Sequence, residues 1–155
     1  MAGWSAFAAE VPELAAAGWR LLSVPGVGFG YLATVRSDGW PRVHPVNPFI
    51  VGDELGIFLV PSPKLDDLRH DGRCALHSCG TAEVDDEFFL SARASISQDH
   101  ALRAAAVAGY HGPVPDAHVL VTLDIERALL ARYTTPPTWP PAYTRWPLPG
   151  AAPAP

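Results

Sequence analysis

The stretch "YLATVRSDGWPRVHPVNPF", residues 31 to 49, constrains the fold more than any other part of the chain. Two β-prone runs flank Ser37-Asp38-Gly39, and glycine accepts the positive φ that a tight turn demands. The pattern predicts an antiparallel hairpin pairing residues 31–36 with 41–47. At period two, Arg42, His44 and Val46 share one face of the second strand, and Val43, Pro45 and Asn47 share the other. A guanidinium and an imidazole on one stripe, with prolines between, raise the question of what that stripe faces.

The rest of the chain narrows the answer. Its 155 residues suit one domain with a real core, and 48% hydrophobic against 17% charged residues predicts a folded chain with surface to cover. Eleven basic against sixteen acidic residues give −5, the wrong sign for gripping a nucleic-acid backbone. No apolar run approaches a membrane span, and the first residues lack the basic start of a signal peptide. Two cysteines, Cys74 and Cys79, are too few for a disulfide framework, so a reducing cytoplasm is expected.

Read for organisation, the chain runs from helix to mostly strand to tail. Ser5 is placed as the cap of a short opening helix and Pro12 in the first turn of a second. That second helix turns Leu14, Ala17, Leu21 and Leu22 to one face, and the glycine-rich segment 23–30 with Pro25 ends it. Strands are predicted at residues 55–60, in "RCALHS" and in "FFLSARASIS", the last two flanking the 80–87 connection. "HVLVTLDI" and "ALLARYT" read as two more. "PSPKLDDLRHDG" reads as a short helix with Leu65 and Leu68 inward and Asp71-Gly72 as its stop, and Asp99 caps a helix over 100–109. Five or six strands with few helices predict a small antiparallel barrel, which removes exposed sheet edges. Residues 136–155 hold eight prolines and cannot be helix or central strand. Their Trp139, Tyr143 and Trp146 predict that this tail lies across a surface, of its own barrel or of a partner subunit.

The order of these elements resembles the pyridoxamine 5′-phosphate oxidase-like proteins, the split β-barrels that bind FMN or the deazaflavin F420. The resemblance covers residues 5 to 147 and is strongest in "DGWPRVHPV" and "SPKLDDL"; the tail "RYTTPPTWPPAYTRW" resembles actinobacterial members. It implies a mainly β (α+β) fold: a six-stranded antiparallel split barrel over residues 1–135 with flanking helices, and a separate tail over 136–155. It implies FMN as cofactor (F420 as the alternative), with Arg42, Val43, His44, Pro45, Val46 and Asn47 along the ring and ribityl chain, Leu59 and Val60 beside them, and Ser62 and Lys64 on the phosphate. It further implies a cytoplasmic homodimer acting as a flavin-dependent oxidoreductase on a small molecule, with His44 as proton donor, no metal, and no nucleic acid or membrane partner. The alternatives are an F420-dependent reductase and a non-enzymatic flavin or haem carrier, in which His44 or His77 serves as axial ligand. Departures argue against vitamin B6 oxidation. The strand reads His44-Pro45-Val46-Asn47 where true oxidases are more basic, Pro63 replaces a second cation, and the tail offers only Arg145.

The residues carry independent weight. Lys64 at a helix start adds charge to free N–H groups that favour an anion. Arg42 offers a bidentate grip one strand away. Read alone, however, Lys64 is an ordinary solvated lysine, and Arg42 with His44 an exposed edge pair. Other clusters are weaker. His77 and Cys79 lack further zinc ligands at suitable spacing. Asp66-Asp67 reads as a solvated helix face and Asp85-Asp86 as a turn. Ser91, Ser95 and Ser97 alternate toward solvent, and "GVGFG" lacks a dinucleotide-binding context.

Overall fold

In the computed structural model, which describes residues 2–23, 26–80, 85–133 and 139–147, the hairpin forms as its turn chemistry requires. Strand β1 (Gly30–Val35) pairs antiparallel with β2 (Pro41–Val46), with Thr34 opposite Arg42, Leu32 opposite His44 and Gly30 opposite Val46. Gly39 holds φ at +84°, and the Asp38 carboxylate accepts from the Trp40 N–H at 3.2 Å. Both prolines of β2 are tolerated because β2 is an edge strand, where a missing N–H breaks no ladder.

Four helices and eight strands complete the described fold. Helix α1 (Trp4–Glu10) is capped by Gly3, so Ser5 lies inside the helix rather than at its start. Helix α2 (Pro12–Leu22) begins on its proline and buries Leu14, Ala15, Ala17, Gly18 and Leu22. Strands β3 (Pro48–Val51) and β4 (Glu54–Leu59) form a second hairpin, followed by α3 (Pro63–His70) and β5 (Arg73–Ser78). Then come β6 (Glu87–Ile96), α4 (His100–Gly109), β7 (Val119–Arg132) and β8 (Ala142–Trp146). Asp99 caps α4 by accepting from the Ala101 and Leu102 N–H groups at 2.8 and 3.0 Å.

The sheet runs β2-β1-β5-β6-β7-β4-β3, with β8 also paired to β7. Its two end strands, β2 and β3, are separated in sequence by Asn47 alone. Laid flat, six inter-strand gaps would part them by roughly 29 Å. The two Cα steps from Val46 to Pro48 reach at most about 7.6 Å. The sheet must therefore curl until its ends meet, and this is the split barrel. Asn47 Nδ2 donates to the Gly28 carbonyl at 2.7 Å, and the Pro48 carbonyl fills the space a Cβ on Gly28 would need. Glycine at 28 lets the crossing close.

The expected six strands become eight. Strand β3 starts on Pro48, because the first residue of an edge strand needs no N–H. The segment 142–146 is a short edge strand against the far end of β7, while residues 136–138 and 148–155 of the expected tail lie outside the described residues. The two runs read as separate strands at "HVLVTLDI" and "ALLARYT" are one strand of 14 residues, β7. A register shift against Ser91 and Ala92 lets it bend, so both runs keep their apolar residues inward. Between its pairings with β4 and β8, the free edge of β7 is filled by Ala2, which exchanges two backbone hydrogen bonds with Ile125 at 2.8 and 3.0 Å.

The core lies on the concave face, under α1, α2 and α3, around Phe7, Phe88, Leu32, Leu76 and Leu90. Trp146 closes it from the tail, edge-on to Phe7 with ring centroids 5.1 Å apart. A smaller cluster of Val51, Ala106 and Leu120 sits beneath α4, flanked by stacked Phe49 and Phe58.

Candidate functional site

The register settles what the cationic stripe faces. Arg42, His44 and Val46 stand opposite buried Thr34, Leu32 and Gly30, so all three point to the concave side of the sheet. Val43 and Pro45 point to the convex side, opposite Ala33 and Tyr31. The side chains of residues 42–47 therefore divide between two surfaces, and Asn47 is committed to the crossing at Gly28.

On the concave side Arg42 meets α3. Its Nε donates to Asp67 Oδ2 at 2.7 Å, and the same oxygen accepts from Thr34 Oγ1 at 2.8 Å. Asp67 is 7% exposed. Burial alone pushes its carboxyl up, but the hydrogen bonds from Arg42 and Thr34 and the charges of Arg42 and Arg36 outweigh that, and it lies below the usual range. Reading Asp66-Asp67 as one solvated face is thus corrected: Asp66 is exposed and pairs with Arg69 at 3.0 Å, while Asp67 turns inward with Leu68. Neither Thr34 nor Asp67 stood out by spacing. The usable signal was Arg42 itself, a half-buried cation on an inward stripe that requires a counter-charge.

Lys64 and Ser62 sit at the start of α3, three and five residues before Asp67. Ser62 is the N-cap residue in an extended conformation, but its hydroxyl donates to the Val60 carbonyl at 2.8 Å and caps nothing. The Ser62 carbonyl accepts from the Leu65 and Asp66 N–H groups, and Pro63 has none. The Lys64 N–H and ammonium have no partner among the described residues. Lys64 lies one turn before Asp67 on α3, while the carboxylate itself is held by Arg42 and Thr34. Leu59 is buried in the core opposite Val119, whereas Val60 is exposed. His44 is half-buried on the rim strand.

The donor set fits a phosphate monoester. The Nη groups of Arg42, the Lys64 N–H and its ammonium are the donors an anion needs, and Ser62 in this rotamer can only accept.

The convex side carries a different surface. Pro45, Tyr31, His77, Phe89 and Leu129 form one row across five strands. Tyr31 is 43% exposed and Val43 59%. A shallow cleft of about 410 Å³ lies beside this row between Ala33, Pro41, Arg73 and Ala75. Interaction with the neighbouring Cys79 side chain raises the Tyr31 phenol above its ordinary value. His77 Nδ1 lies 2.6 Å from the Ser78 carbonyl. Among the described residues no three His, Cys, Asp or Glu side chains gather as a metal site. No helix there is long and apolar enough to cross a membrane.

No family profile and no curated protein sequence matches the chain. Solved structures do. A haem-binding protein from Mycobacterium smegmatis superposes with a TM-score of 0.61 at 19% identity, covering 84% of this chain and 57% of that one. A protein of Lactobacillus delbrueckii provisionally assigned as a pyridoxamine 5′-phosphate oxidase gives 0.59 at 20% identity, covering 72% and 89%. An F420 reductase gives 0.56 at 21% identity, covering 70% and 93%. The chain thus spans little more than half the length of the haem-binding protein. These likenesses establish the fold alone: the chain is a split barrel like those structures. Proteins named as haem-binding, as a pyridoxamine 5′-phosphate oxidase and as an F420 reductase all share it.

Proposed function

We propose that the protein binds FMN at the rim where β2 meets the start of α3, and works in the cytoplasm as a flavin-dependent oxidoreductase on a small molecule. The observation that carries this reading is the Arg42–Asp67 contact. It brings the cationic stripe of the hairpin against α3, near whose start Lys64 lies, and this supports reading the two as one anion site. Bound there, the flavin would supply the hydride chemistry. The chain's residues bind and orient it. Lys64 and the Arg42 Nη groups hold the phosphate, and His44, on the same face of β2 as Arg42, is placed to hold or deliver a proton. F420 fits less well, because its longer acidic tail asks for more cations than a chain of −5 offers at this rim.

We further propose a homodimer. The exposed convex row around Tyr31 and Val43 is the apolar surface a second copy would cover, next to the rim that holds the flavin. The test of the whole reading is a titration of the purified protein with FMN, followed by flavin fluorescence, with mass by light scattering. Micromolar binding by a dimer supports it; no binding at millimolar FMN overturns it.

A second reading has one specific support. His77, on the convex row between Tyr31 and Phe89, engages a backbone carbonyl through Nδ1 and has no Nε2 partner among the described residues, the arrangement that orients a metal-ligating imidazole. Haem bound there would be recognised by a Soret band lost in His77→Ala.

A further inference from the structure

The charge at the phosphate end of the rim is governed by a residue outside the set expected to touch the cofactor. Asp67 is a buried carboxylate with two donors converging on one oxygen, Thr34 Oγ1 at 2.8 Å and Arg42 Nε at 2.7 Å. Thr34 is itself buried. Arg36, whose charge also reaches Asp67, is already paired with Asp38 at 2.8 Å. Arg42, Lys64 and Asp67 therefore sum to a single positive charge. A phosphate monoester carries about 1.5 to 2 negative charges at neutral pH.

We propose that Asp67 is a specificity-setting residue, which by neutralising Arg42 holds down the affinity of the rim for a phosphate dianion. The site then gains less from the phosphate of FMN, relative to uncharged riboflavin, than Lys64 and an unpaired Arg42 would give it. This rests on the reading that a flavin binds at this rim. Asp67 acts through Arg42 and touches no ligand; its carboxylate oxygen is occupied by protein donors. Its amide analogue would accept the same two hydrogen bonds through Oδ1 while removing the charge, so geometry and electrostatics separate cleanly.

The experiment is a fluorescence titration of FMN and of riboflavin into the wild-type protein, Asp67→Asn and Asp67→Glu, at low and high salt, with circular dichroism to confirm the fold. Asp67→Asn is expected to tighten FMN by about tenfold or more, the scale on which one nearby charge acts, and to steepen its salt dependence. Riboflavin binding should not move, and Asp67→Glu, which keeps the charge, should show no gain. If Asp67→Asn fails to fold, Asp67→Ser is the second neutral variant, with the same gain expected. An unchanged FMN-to-riboflavin ratio, or a weaker one, in the folded neutral variants overturns the proposal and leaves the FMN reading standing. If the neutral variant alone takes up FMN, the proposal holds and the FMN reading of the natural protein fails. If neither protein binds either flavin, both fall.

Discussion

Gly18 of α2 lies directly under the ring of Phe88 in β6, so that a Cβ at position 18 would stand inside the ring's van der Waals surface. This contact seats the helix on the sheet. Replacing a mid-helix glycine by alanine ordinarily stabilises by about 0.8–1 kcal/mol. Here the methyl must displace a fully buried aromatic side chain, and such overpacking costs about 1–3 kcal/mol. Gly18→Ala should therefore lower the melting temperature, by a few degrees at about 2–4 °C per kcal/mol for a chain of this size. A rise would mean that Phe88 can move aside.

Lys64→Ala removes the one cation of the rim without a carboxylate partner among the described residues. FMN affinity should fall by about tenfold or more, the loss of one charge-assisted hydrogen bond, while the circular dichroism spectrum stays unchanged. An unaltered titration curve would remove Lys64 from the phosphate site.

The two thiols should react very differently. Burial pushes the Cys74 thiol up to about 12, and its sulfur lies against the Ala92 carbonyl. Cys79 is half-exposed beside Tyr31. At pH 8 a thiol reagent should label one cysteine in the native protein and two after denaturation. Peptide mapping should place the native label on Cys79.

Acid should act through Asp67. Its folded carboxyl lies below its unfolded value, so the stability it contributes is fully present above the ordinary carboxylate range. That contribution disappears as pH falls through the folded value. Thr34→Val removes one of the two donors and should lower stability at pH 7 by about 1–3 kcal/mol, the cost of a lost buried partner. The gap between variant and wild type should shrink toward pH 2. A gap independent of pH in urea melts would show that Thr34 matters by packing alone.

If a second copy covers the convex row, Val43→Glu places a charge beside its β2 end. The variant should elute as a monomer and retain flavin less well. A dimeric Val43→Glu variant would move the interface elsewhere.

Much of this was readable from residues alone because the relevant forces are local. The Asp38-Gly39 turn, Pro12 and Pro63 at helix starts and Asp99 as a cap each act within a few residues. What escaped depends on distant partners. Pro48 begins a strand because the sheet's last edge happens to lie there, and β8 exists because β7 presents an unpaired edge to it. Trp146, one of three tail aromatics expected on a surface, is drawn onto Phe7 of its own core, while Trp139 remains 79% exposed. Asp67 was invisible for the same reason. Adjacent acids on a helix look alike until a half-buried guanidinium 25 residues away selects one of them.

The passage from β2 to β3 through Asn47 works mechanically as a hoop. Because one continuous run of chain holds both rims of the sheet, the circumference of the barrel cannot grow without tearing a ladder or pulling Asn47 from Gly28. Breathing of the barrel wall is thus no route to its interior, which leucine and phenylalanine already fill. Any ligand must be worn on the outside of the hoop or at its lip, and evolution of a new substrate preference would proceed by redecorating that lip rather than by hollowing the vessel.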